Sequence, residues 1–149
     1  MSIFPAKILL AIDGSEEAAL AAEAATELSR DTGSEVHVTF VLPAPEHLIG
    51  HHTYSAEVRE SVLEQARSEA RTFLDGRAEQ LKAEGAKVAF AHLRVGEPDK
   101  EIIRLSEEID ATMIVMGSRG LGAVRRALMG SVSDSVVKHA HCPVLVMRH

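Results

Sequence analysis

The stretch from Ala111 to Ser133 constrains this chain more than any other. It begins with an apolar run, Thr112-Met113-Ile114-Val115-Met116, and breaks at Gly117-Ser118-Arg119-Gly120. Nine residues later come Gly130 and Ser131, followed by Val132, Val136, Val137 and Ala140 at roughly helical spacing. The pattern reads as a buried strand, a glycine turn, an excursion and a helix start. A parallel strand that feeds such a turn and a helix N-terminus can bind phosphate. Glycines let backbone N–H groups approach an anion, and the first helical turn leaves donors pointing at it. Ser131 is placed to add a hydroxyl. The same residues also suit an ordinary tight turn with a helix cap, and glycine spacing alone does not separate the two.

The rest of the chain alternates in the same way. Lys7 to Ile12 is a near-continuous apolar run, as expected of a strand covered on both faces. Asp13-Gly14-Ser15 is turn chemistry with Ser15 as a helix N-cap, and Glu16 and Glu17 suit the positive end of the helix that follows. Ala18 to Arg30 is an alanine-rich helix with Leu20, Ala24 and Leu28 in register, stopped by Gly33. Val36, Val38, Phe40 and Val41 form a second strand, ended by Pro43 and Pro45. Residues 43–55 have no periodicity and read as a loop long enough to be a lid. Ala56 to Glu84 is a long helix whose stripe is Val58, Val62, Ala66, Ala70, Phe73 and Leu81. In the third strand Val88, Phe90 and His92 alternate with Ala89, Ala91 and Leu93. Pro98 opens a helix with Ile102, Leu105 and Ile109 facing inward. Val144 to Met147 is the last strand. Strands alternating with helices imply a doubly wound parallel α/β sheet with helices on both faces, in one domain over residues 1–149. Such sheets bind ligands beyond the carboxyl ends of the strands, where the strand order reverses.

Composition narrows the functional classes. A formal charge of −6 opposes a nucleic-acid surface, which needs a basic stripe. No run approaches the length of a membrane span. The apolar run after Lys7 is too short for a signal-peptide core. The single cysteine, Cys142, excludes an intramolecular disulfide framework and reads as a small filler. Together these point to the cytosol. His47, His51 and His52 do not follow a zinc spacing and read as a solvated loop. There is no Gly-x-Ser-x-Gly elbow and no Gly-x4-Gly-Lys-Ser/Thr loop.

Asp13 ends the first strand. Its carboxylate can accept hydrogen bonds from a ribose or help hold a metal ion beside phosphates, or it can bond its own turn. Arg119 can pair with a phosphate through its planar fork. Arg125 and Arg126 can cap a phosphate tail or stay solvated. No separate residue stands out to orient an attacking water, which favours binding over turnover.

Met116-Gly117-Ser118-Arg119-Gly120 and Gly130-Ser131-Val132 match the G-x-x-G-x9-G-S/T signature of universal stress proteins in their ATP-binding branch. Lys7 to Ser15 resembles that family's first strand and turn, Gly96-Glu97-Pro98 its third helix entry, and Cys142 to Val146 its last strand. The resemblance implies a five-stranded sheet in the order 3-2-1-4-5, of the adenine nucleotide alpha hydrolase type. It implies ATP with Mg²⁺ as the ligand and a nucleotide-dependent stress-response module as the role. The implied site residues are Ala11, Ile12, Asp13, Val41, Met116, Gly117, Ser118, Arg119, Gly120, Gly130, Ser131, Val132 and Ser133. Adenine is met through backbone near Val41, and Asp13 reaches the metal through the Mg-nucleotide. A slow ATPase, self-phosphorylation near Ser131 or Ser133, or another adenine nucleotide such as cyclic AMP are the alternatives. The resemblance also implies a homodimer. Val144-Leu145-Val146-Met147, apolar on both faces and at the sheet edge in that order, is the expected interface.

Overall fold

Ile8, Leu9 and Leu10 have no solvent exposure at all, and the protein is built outward from them. In the computed structural model, which describes residues 3–44, 55–119 and 129–149, they form the middle of β1 (Lys7–Ala11). Then follow α1 (Glu16–Thr32), β2 (Glu35–Leu42), α2 (Ala56–Ala83), β3 (Lys87–Val95), α3 (Pro98–Glu108), β4 (Met113–Gly117), α4 (Ser131–His139) and β5 (Val144–Met147). The strands make one parallel sheet in the order β3-β2-β1-β4-β5. Leu9 pairs with His37 on one side and Ile114 on the other, and Ile114 pairs with Val144. The fold and order are those expected.

Alternation along β1 divides the core. Ile8 and Leu10 join Val36, Val38 and Val115 beneath Ala21 and Ala25 of α1 and Leu74 and Leu81 of α2. Leu9 points the other way, with Ile114 and Met116, against Ile102 and Leu105 of α3 and Val136 of α4. Each fully buried Leu or Ile contributes about 1.5–3 kcal/mol relative to exposure. This is what fixes the strand register, because a one-residue slip would turn each set to the wrong layer.

The helix boundaries follow local chemistry. Ser15 Oγ accepts the Ala18 N–H at 3.1 Å and caps α1. Gly33 ends it at φ 77°, donating its N–H to Ser29 O at 2.9 Å. The buried residues of α1 are Ala18, Ala21, Ala25, Thr26 and Ser29, while Leu20, Ala24 and Leu28 flank them half-buried. The smallest side chains take the contact because they let the helix lie close to the sheet. In α2 the expected stripe fails at its start: Val58 and Val62 are 42% and 40% exposed, and burial begins at Ala70. At 28 residues the helix is about 42 Å long and outruns strands of about 30 Å or less.

β3 departs from simple alternation. Val36 pairs with Val88, but His37 pairs with Phe90, so Ala89 is the extra residue of a bulge. Val88 therefore shares the α1/α2 layer with Ala91 and Leu93, and Phe90 and His92 turn to the opposite face. At this outer edge Arg71 of α2 donates an N–H to the Ala91 carbonyl at 3.1 Å.

Candidate functional site

Strand order reverses at β1, whose neighbours β2 and β4 are reached by crossovers in opposite directions, and a crevice opens beyond their carboxyl ends. It is a cavity of about 610 Å³, within the range of small-molecule sites. Ala11, Ile12 and Asp13 line it from β1, Val41 from β2, and Met116 to Arg119 from β4 and its turn. Gly130, Ser131, Val132 and Ser133 line it from the start of α4. The structure thus brings all the described sequence-derived candidates to one wall-to-wall site. Gly120, Arg125, Arg126, His47, His51 and His52 lie outside the described residues.

At the end of β1, Ile12 N–H still pairs with Thr39 O at 3.0 Å, which carries the sheet one residue past the strand. Asp13 Oδ1 then accepts the Ser15 N–H at 2.9 Å, while Gly14 takes φ 85° to make the turn. Asp13 is therefore a turn residue and a cavity residue at once. Its half-exposed carboxylate faces the site with its orientation fixed by that bond.

The β4 turn is stitched shut around Ser118. The Ser118 N–H donates to Met147 O of β5 at 2.8 Å, and its carbonyl accepts from Gly130 N–H at 2.6 Å and Ser133 Oγ at 2.5 Å. These bonds bring both ends of the nine-residue excursion together. They also assign Ser133 a structural part: it is 2% exposed, and its hydroxyl is spent on the turn. The Ser118 amide is likewise taken within the fold. Gly117 owes its identity to packing. A Cβ there would lie 2.7 Å from the backbone carbon and Cβ of Glu17, so glycine lets α1 close on β4.

At the start of α4, Gly130 is the N-cap and supplies no side-chain hydrogen bond, so among the described residues no capping side-chain oxygen covers the first-turn amides beside Ser131 and Val132. Ser131 is exposed. Arg119, which lines the cavity, donates to Glu17 Oε1 at 3.2 Å, and Ser15 Oγ donates to Arg119 O at 3.4 Å. These contacts tie the β1 and β4 turns to each other.

Sequence reasoning missed Thr39, Phe40 and Pro43 at the end of β2, Ser15 and Ala18 on α1, Pro98 and Ile102 on α3, and Met129. Thr39 carried a signal: a hydroxyl in an apolar strand needs a partner, and it donates to His92 O at 2.9 Å. Ser15 was read only as a helix cap, and the others are apolar walls, indistinguishable in sequence from core.

Elsewhere, Ser135, Asp99 and His139 meet at the α3–α4 seam, but their wiring rules out a nucleophile. Ser135 Oγ donates to Asp99 Oδ2 at 2.7 Å, and His139 Nδ1 donates to the Ser135 carbonyl at 2.9 Å, leaving that nitrogen no lone pair for the serine proton. Cys142 is half-buried beside the α3/α4 layer, and burial pushes its thiol up from the ordinary value. Among the described residues no group of three or more His, Cys, Asp or Glu could hold a metal ion, and no helix is long and apolar enough to cross a membrane.

Comparison with known proteins gives the same fold and a family. A Staphylococcus aureus (strain USA300) protein assigned to the universal stress proteins is 37% identical over 143 residues, covering 95% of this chain and 82% of that one. The structure of the protein MJ0577 superposes with a TM-score of 0.84 at 27% identity, covering 98% of this chain and 97% of that one. An Archaeoglobus fulgidus universal stress protein in complex with dAMP superposes at 0.64 with 27% identity, covering 95% of this chain and 97% of that one. The profile of the universal stress protein family matches residues 6–148, and the chain belongs to that family.

Proposed function

We propose that the chain binds ATP with Mg²⁺ in the cavity beyond β1, β2 and β4, and that it works as a nucleotide-loaded regulatory module. The observation that carries this reading is the start of α4, which faces the cavity with a glycine cap and, among the described residues, no capping side-chain oxygen over its first amides. Such an end attracts an anion through its N–H groups and dipole. The apolar surface of Val41, Ile102 and Met116 suits a base, and the polar end suits phosphates. That an archaeal relative is a dAMP complex supports an adenine nucleotide.

The residues fit a phosphate-borne Mg²⁺. Dedicated protein cages for this ion are uncommon; it is held by one or two carboxylates plus phosphate oxygens. Asp13 is the cavity carboxylate placed for that part, and the ion would offset phosphate charge there. Ser133 is not poised as a phosphoryl acceptor, because its hydroxyl bonds Ser118 O. Among the described lining residues only Asp13 carries a carboxylate, and its orientation is already set by the Ser15 amide, so binding is favoured over turnover. A cytosolic setting and a homodimer through β5 belong to the same proposal.

Ser131→Glu tests it. A carboxylate at the first residue of α4 suits the helix but repels phosphate. Calorimetry should show ATP binding to the wild type and a loss of at least about tenfold in the variant, roughly 1.4 kcal/mol. Equal affinity, or no binding by the wild type, would overturn the assignment.

A further inference from the structure

On the α3 face of β2 and β3, Glu35, His37 and His92 form a chain of hydrogen bonds. His37 Nε2 lies 2.8 Å from Glu35 Oε1, and His37 Nδ1 lies 2.9 Å from His92 Nε2. Glu35 as a carboxylate can only accept, so His37 Nε2 carries the hydrogen. Neutral His37 then has its lone pair on Nδ1, and His92 must donate from Nε2. The ring centroids are 5.2 Å apart with planes tilted by 19°. That separation matches the N···N contact plus the radius of each ring, so the two imidazoles meet head-on, with the bridging hydrogen on the line between them.

The placement depends on the bulge. Had the strand alternated regularly through Ala89, His92 would fall on the layer that holds Val88, away from His37. A bulge of this kind re-aims side chains at a sheet edge. His92 is also tied by its carbonyl to Thr39 Oγ1, and its ring lies against Phe90, centroids 4.6 Å apart.

We propose that Glu35, His37 and His92 form an acid-opened clasp that holds the bulged edge strand β3 to β2. One hydrogen can bridge the two rings whether the pair is neutral or carries a single charge. Two charges cannot coexist with the bond, because each nitrogen would then present an N–H to the other. The charged groups around the pair set its response. Glu35, with its pKa lowered chiefly by the bond to His37, favours a charge on His37. Lys7 of β1 and Lys87 of β3 stand near Glu35. Arg94 of β3 and Arg71 of α2 oppose a charge on His92, and Glu108 of α3 favours one. Burial is the largest influence on His92, followed by His37, and together they take it down to about 4. The clasp therefore stays closed near neutrality and parts when His92 takes a proton while His37 already carries one.

The test is imidazole NMR on the full chain with amide exchange. Near neutrality a coupling should be visible across the bond from His92 Nε2–H to His37 Nδ1, and it should vanish as the pH falls toward about 4. Over the same interval, amides of residues 89–93 should exchange at least roughly tenfold faster, relative to their intrinsic rates, while β1 and β4 stay protected. In His92→Gln the amide still donates to His37 Nδ1 but does not titrate, and the acid step at β3 should disappear. Independent titration of both rings near the ordinary histidine value would overturn the clasp. Loosening of β1 together with β3, or an acid step that persists in His92→Gln, would do so as well.

Discussion

Gly117 and Glu17 are in such close contact that no side chain fits between them: a Cβ on Gly117 would lie 2.7 Å from Glu17 Cβ and 2.9 Å from Ala18 N. The partner atoms are helix backbone and the Cβ fixed to it, which cannot swing aside as the end of a flexible side chain would. Gly117→Ala should therefore push α1 away from β4 and destabilise the protein by about 1–3 kcal/mol. Urea unfolding with an unchanged m-value would show it. Because α1 carries Ser15 and Ala18 into the cavity wall, ATP affinity should fall as well.

Turnover should be negligible. Among the described residues Asp13 is the only acidic side chain lining the cavity, and Ser15 N–H already holds one of its oxygens. A phosphate-release assay should stay at background over many minutes. Multiple turnovers per second, abolished by Asp13→Ala, would place the protein among enzymes.

A dimer is expected through β5. The strand lies at the end of the sheet order, its four residues are half-buried, and no charge interrupts Val144 to Met147. Light scattering should report about twice the 16.1 kDa chain mass. Val146→Arg should shift the species toward monomer while the helix signal stays intact. A wild-type monomer at tens of micromolar would rule the interface out.

Stability should decline in mild acid through His92. Its pKa falls from 6.5 in the unfolded reference to about 4 in the fold, so the unfolded chain takes the proton first. The contribution is fully present above about pH 6.5 and is lost as pH falls toward 4. After discounting for screening of a half-exposed ring, it amounts to about 1 kcal/mol. Urea midpoints at pH 7 and pH 5 should differ in the wild type and converge in His92→Gln.

What was legible in the sequence was whatever a single residue type announces locally. Ser15 as a cap, Gly33 as a stop and Pro98 at a helix start all stand where expected, since each answers a backbone need that its own neighbours set. The cavity was legible as a position, because parallel strands and the family order place it beyond β1 and β4. The reasons behind individual residues were less so. Gly117, a candidate for the site, also makes room for α1, and Ser133, another candidate, also closes a turn. Both depend on elements far away in the chain. The bulge at Ala89 left no local mark either, and with it the meeting of His37 and His92 was hidden.

The two margins of the sheet are unlike each other. β3 carries a bulge and has the Arg71 guanidinium on the Ala91 carbonyl, which occupies an acceptor that an incoming strand would need. Among the described residues, no side-chain hydrogen bond guards the β5 backbone in this way. A sheet that can be extended at one margin and is blocked at the other cannot polymerise. Any growth through β5 uses up that margin in both copies and leaves only guarded borders facing outward, so association by this route is self-terminating.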